Sequence, residues 1–142
     1  MFRKIITTTL VAVSVAVAST APAFAAVVRR DFDISDPRGT GTDFLGRTNT
    51  YDTNVRITGT LRADRTLIVA WSCVSPSISG CNLVANQKKL GESDDRRGQA
   101  TSSVRIDKTF NRASGQNPYV RACFTRSDGV ASCSSWTAGT VA

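Results

Sequence analysis

The chain has 142 residues, 41% of them apolar and only 7% aromatic, with 18 lysines and arginines against 11 acids for a formal charge of +7. Among them are four cysteines and no histidine. The missing imidazole removes Ser-His-Asp and Cys-His catalysis and most zinc or copper sites, and the length leaves room for one domain.

Residues 1–25 read as a secretion signal. Arg3 and Lys4 form a charged start, residues 5–17 are mostly apolar, and Ala23-Phe24-Ala25 is an A-x-A cleavage site. Cleavage leaves residues 26–142 as a single secreted domain and, with Arg3 and Lys4 gone, lowers the formal charge from +7 to +5. No later segment is apolar for long enough to span a bilayer, so no membrane contact is expected once the signal is removed. Outside the cell, four cysteines are expected to form two disulfides rather than thiol nucleophiles or metal ligands. Three connectivities are possible; Cys73/Cys81 with Cys123/Cys133 is preferred because each pair then lies within one hairpin.

The mature chain opens on VVRRDFDIS, whose Phe32 and Ile34 alternate with Asp31 and Asp33 as in a strand. Residues 35–54, rich in Gly, Thr, Asp and Arg, read as a long loop pinned by Phe44, Leu45 and Tyr51. Residues 54–62 alternate cleanly, with Val55, Ile57, Gly59 and Leu61 inward and Arg56, Thr58, Thr60 and Arg62 outward. A turn at residues 63–65 leads into the run LIVAW (residues 67–71), apolar on both faces and so an interior strand, with Trp71 a core or half-core aromatic. Residues 82–90 read as a strand near an edge, where Lys88 and Lys89 oppose edge-to-edge pairing. Residues 91–98 (GESDDRRG) read as a charged turn, and residues 102–110 as a strand with Val104, Ile106 and Phe110 on one side.

The segment YVRACFTRSDGVASC fixes its own register. If Ser127-Asp128-Gly129 is a three-residue loop with Gly129 left-handed, Arg126 faces Val130 and Cys123 lies opposite Cys133. Counting outward makes the cysteines a non-hydrogen-bonded pair, the kind whose side chains approach most closely. Residues 134–138 continue the return strand. With no pattern for a long helix, the expectation is an all-β sandwich of about seven or eight short antiparallel strands with two local hairpin disulfides.

Little in the sequence suggests an enzyme. The lone glutamate, Glu92, stands beside Asp94 and Asp95 at a turn, and Asp31, Asp33, Ser35 and Asp36 lack the glycine and terminal acid of a calcium loop. Gly39, Gly41 and Gly46 have no Lys-Ser/Thr pair after them to make a phosphate loop. No cofactor or metal is implied. Arg56, Arg62, Arg105, Arg121 and Arg126 fall at outward strand positions, where neighbouring strands can align them into a cationic face suited to anionic glycans or wall polymers. Nucleic acid is not expected, because no series of stacking aromatics is present.

The leader, the segment VRITGTLRADRTLIVAWSC, the two cysteine hairpins and the roughly forty residues between Cys81 and Cys123 resemble the neocarzinostatin-type apoproteins of actinobacteria over residues 54–133. The resemblance implies an immunoglobulin-like sandwich and, in that family, an enediyne chromophore carried in a cleft; it transfers no binding residue. The functional expectation is therefore a secreted, monomeric, non-catalytic binding module acting through a cationic sheet face or the long loop. One alternative is a small-molecule carrier with an apolar cleft near Trp71, Tyr119 and Phe124. Another is a proteinase inhibitor presenting residues 74–80.

Overall fold

The computed structural model describes residues 27–142; the expected leader lies outside the described residues. Nine strands follow in chain order: β1 (Val28–Ser35), β2 (Asp43–Thr50), β3 (Asn54–Ala63), β4 (Thr66–Ser75), β5 (Gln87–Asp94), β6 (Ser102–Asn111), β7 (Asn117–Arg126), β8 (Ala131–Cys133) and β9 (Thr140–Val141). They form two antiparallel sheets, one ordered β6-β3-β2-β1-β9 and the other β5-β4-β7-β8. The alternation in each strand decides which side chains fill the space between them. Ile34, Phe44, Ile57 and Leu61 of the first sheet meet Ile68, Val120 and Phe124 of the second in one core. Each large apolar side chain buried in this way contributes roughly 1.5–3 kcal/mol.

The segment expected to be a loop is in large part strand β2, the middle of the five-stranded sheet. Its sequence, DFLGRTNT, hides the strand because the inward positions after Phe44 are Gly46, Thr48 and Thr50. Gly46 stands between Phe32 on β1 and Gly59 on β3. With no Cβ at Gly46 or Gly59, the Phe32 and Phe44 rings lie directly on the sheet, their centroids 4.6 Å apart. The Phe32 ring from β1 and the Phe44 ring of β2 itself thus cover the inward surface where Gly46 and Gly59 have no side chain.

The second departure concerns β5. Residues 82–86 are 3-10 turns, and the strand runs on to Asp94 through part of the stretch that reads as a charged turn. A bulge between Ala70 and Trp71 resets its pairing with β4, and Gly91 leaves room for the Ile106 side chain. As the lysines suggest, β5 is an edge strand. The second hairpin has the register read from its sequence: Gly129 has φ 84°, the Arg126 N–H donates to Val130 O at 3.0 Å, and Cys123 faces Cys133 with Cα atoms 3.9 Å apart. Cys73 and Cys81 form the other disulfide.

A polar clasp ties the two layers at one end. The Asp36 carboxylate, fully buried, accepts from the Arg38 backbone N–H and Nε (both 3.0 Å), from Arg38 Nη2 (3.2 Å) and from the Thr40 hydroxyl (3.0 Å). The same guanidinium donates to Phe124 O on β7 of the other sheet and to Val130 O in the turn that follows it. Burial pushes the Asp36 carboxyl up, but the Arg38 side chain and backbone bonds, the Thr40 bond and the Arg38 charge outweigh it and hold the group below the usual range. A depressed carboxylate stabilises the fold fully above its unfolded pKa and loses that contribution as pH falls through the folded value. Asp36→Asn is therefore expected to lower stability at pH 7 by about 3 kcal/mol. The difference from wild type should shrink as pH falls below about 4, where the unfolded chain takes up the proton, and be lost only below the depressed folded value, where the carboxylate is protonated in both states. Denaturant melts across a pH series measure it, and a difference that is flat with pH would contradict the assignment.

Candidate functional site

The outer face of the four-stranded sheet differs from an ordinary solvated sheet. On β4 the inward residues Thr66, Ile68, Ala70 and Ser72 are buried, while the outward Leu67, Val69 and Trp71 are only half-buried. On β7 the outward set is Tyr119, Arg121, Cys123 and Thr125. Register places Trp71 opposite Arg121, Cys73 opposite Tyr119 and Val69 opposite Cys123. The strand next to β4 adds a polar border, with Gln87 across from Cys73, Lys89 from Trp71 and Glu92 from Val69.

The Cys73–Cys81 disulfide folds residues 78–82 back against this face and is itself fully buried there, packed with Trp71, Tyr119 and Trp136. Trp136 arrives by a route that alternation does not foresee. Continuing the Cys123/Cys133 register without interruption would put Trp136 opposite Val120, facing the core. Instead Thr137 pairs with Val120, so one extra residue is absorbed at the two serines in between. The Ser134 hydroxyl accepts the Ala122 N–H, and the Ser134 N–H donates to Ala122 O. This bulge turns Trp136 outward, where the Arg121 guanidinium lies 4.7 Å from its ring centroid. A serine pair just past a register-fixed disulfide is the one feature in the sequence compatible with such a bulge.

Arg121 is held in place from two sides. Its Nη2 donates to Gln87 Oε1 at 3.3 Å, and Gln87 Nε2 in turn donates to Cys81 O at 2.8 Å. Two buried donors on this face, Arg121 Nε and Trp136 Nε1, have no acceptor among the described residues. The loop bearing Cys81 leaves Ile78, Leu83 and Val84 exposed, the last at 80%. The result is a rigid aromatic and guanidinium surface with a polar margin, underlain by two buried donors that lack an acceptor among the described residues.

Of the residues singled out in the sequence, Trp71, Tyr119 and Arg121 meet here. The other arginines do not join them. Arg56, Arg62 and Arg105 lie on the outer face of the five-stranded sheet, across the molecule, and Arg126 sits at the hairpin end paired with Asp128 at 2.9 Å. The five arginines thus do not form a single cationic face, because alternation tells which side of a strand a residue takes but not which sheet the strand joins. Those on the five-stranded sheet are largely neutralised. Arg56 makes a two-point pair with Asp107 (2.9 and 2.7 Å), and Arg62 binds Asp43 and Arg47 binds Asp31, both at 2.6 Å. The hydrogen bond from Arg56 holds the Asp107 carboxyl below its ordinary value, and that from Arg47 does the same for Asp31. Between these pairs runs a shallow polar trough of about 790 Å³ lined by Thr58, Thr60 and Arg105 among others. Arg105 has no carboxylate partner among the described residues.

Two grooves with partly apolar walls lie at one end of the sandwich, one including Val74 and Phe110 (about 240 Å³) and one including Val28 and Pro118 (about 190 Å³). Both are smaller than the roughly 300–1,000 Å³ usual for small-molecule sites. The two disulfides mark an oxidising environment, and no helix among the described residues is long and apolar enough to cross a membrane. Comparison with known proteins finds no matching family model, curated protein or solved structure.

Proposed function

We propose that the mature chain is a secreted, non-catalytic binding module of immunoglobulin-like plan that engages an acidic extracellular saccharide on the outer face of its four-stranded sheet. The observation that carries this reading is the convergence of Trp71, Tyr119, Trp136 and Arg121 on one disulfide-braced face. Trp, Tyr and Arg are the residue types that dominate binding hot spots. Aromatic rings suit the C–H faces of sugars, and the guanidinium charge of Arg121 suits carboxylate oxygens. The immunoglobulin-like plan is supported by the connectivity, in which β3 pairs with β6 while β4, β7 and β8 pair in the facing sheet. A carrier role receives less support, since the space between the sheets is filled by Phe44, Phe124 and their neighbours.

Both tryptophans of the chain lie on this face, so their fluorescence reports directly on its occupancy. Titration of the mature protein with soluble polyuronate, against a neutral glucan as control, is expected to give a saturable change in emission. Arg121→Gln should weaken binding about ten-fold, the loss of one charged hydrogen bond. Arg56→Gln, on the far sheet, should leave it unchanged. A titration silent in tryptophan emission, or one impaired by Arg56→Gln and indifferent to Arg121→Gln, would move the site elsewhere.

A further inference from the structure

The structure has one long open sheet edge, and its sequence is complementary to itself. Among the described residues, strand β6 pairs only with β3. The Arg112 N–H donates to Thr53 O at 3.0 Å, and the register runs unbroken from there, so the even-numbered residues of β6 exchange hydrogen bonds with β3. The backbone N–H and C=O groups of Ser103, Arg105, Asp107 and Thr109 therefore point away from the sheet, and no backbone group among the described residues meets them. The other edges are blunted: β8 has three residues, β9 has two, and β5 is interrupted by its bulge. The ten residues of β6 contain neither proline nor glycine.

We propose that two copies of the mature chain pair β6 with β6 about a two-fold axis at Ile106, joining their five-stranded sheets into one. Antiparallel pairing on this axis sets Arg105 opposite Asp107 of the second copy and Asp107 opposite its Arg105, with Ser103 opposite Thr109 and Val104 opposite Lys108. The outward backbone groups then fall in the pairs that exchange two hydrogen bonds each. Arg105, which makes no salt bridge among the described residues, gains a carboxylate partner from the second copy. Shifting the axis to Arg105 or Asp107 would put like charges opposite each other, which disfavours those registers. The assembly departs from the monomer expected from sequence. It also leaves both aromatic faces free, giving a bivalent binder whose avidity on a repeating polymer exceeds that of one face.

Sedimentation of the mature protein over a range of concentrations is expected to show a monomer–dimer equilibrium. Arg105→Asp leaves only acids at the centre of the edge, and Asp107→Arg leaves only bases. Each variant alone should dimerise at least about ten-fold more weakly than wild type. An equimolar mixture should associate within about three-fold of wild type, because both central pairs then set an acid of one variant against a base of the other. Amides of Arg105 and Asp107 should also exchange with deuterium more slowly at high than at low protein concentration. A wild-type chain that stays monomeric up to about 1 mM, a mixture no tighter than its components, or a dimer whose β6 amides exchange as in the monomer would each overturn the proposal.

Discussion

Replacing Cys73 and Cys81 together by alanine is expected to lower the unfolding free energy by about 4 kcal/mol, and replacing Cys123 and Cys133 by only about 2.5 kcal/mol. The two bridges close loops of similar length, with sequence separations of 8 and 10. Restricting the unfolded chain therefore contributes about 2.5 kcal/mol in each case. What separates them is position. Cys73 and Cys81 are fully buried beneath Trp71, Tyr119 and Trp136, while Cys133 lies on the surface. Removing the buried sulfurs leaves a void under the aromatic face, and a cavity of that kind adds roughly 1–2 kcal/mol. The native tryptophan emission should shift to the red in the first variant and stay unchanged in the second. Equal losses of stability in denaturant melts, or equal emission, would show that the first bridge acts only through the unfolded state.

A single added methyl at Gly46 is expected to be nearly as damaging. A Cβ there would overlap Thr58 O and come within 2.6 Å of Phe32 Cζ and 2.9 Å of Gly59 Cα. Two of those three neighbours are backbone of the adjoining strand, which cannot turn aside as a side chain does. Overpacking that forces strands apart costs about 3 kcal/mol or more, so Gly46→Ala should lower the melting temperature by roughly 12 °C. Gly129→Ala is the comparison. That glycine has φ 84° but nothing within 4 Å of a new Cβ, so only the left-handed backbone is penalised, at about 1 kcal/mol. A mild Gly46→Ala would mean that the Phe32 and Phe44 rings do not rest on the sheet as described.

These expectations follow from features of unequal visibility. The β7–β8 hairpin was legible to the residue because a three-residue loop with glycine at its last position dictates register locally, and register then places Cys123 opposite Cys133. Strands β3 and β6 were equally plain from their alternation, and β4 from its unbroken apolar run. Strand β2 was hidden, since Gly46, Thr48 and Thr50 occupy positions where a sequence reader looks for apolar residues. Its inward surface is completed by the Phe32 ring from β1, lying over Gly46, beside its own Phe44. Trp136 was visible as a residue but not as part of a site, because a bulge one residue long reverses the side it faces.

By itself the sequence determined the all-β character, the register that sets Cys123 opposite Cys133 and the inside and outside of most strands. Those depend on period-two alternation and turn chemistry, which act over a few residues. Only the tertiary structure decided that Arg121 shares a face with Trp71 while Arg56, Arg62 and Arg105 lie across the molecule, and that β6 is left with an open side. Sheet membership depends on which strands bury one another's apolar faces, and that is settled between segments far apart in the chain, where no local pattern reaches.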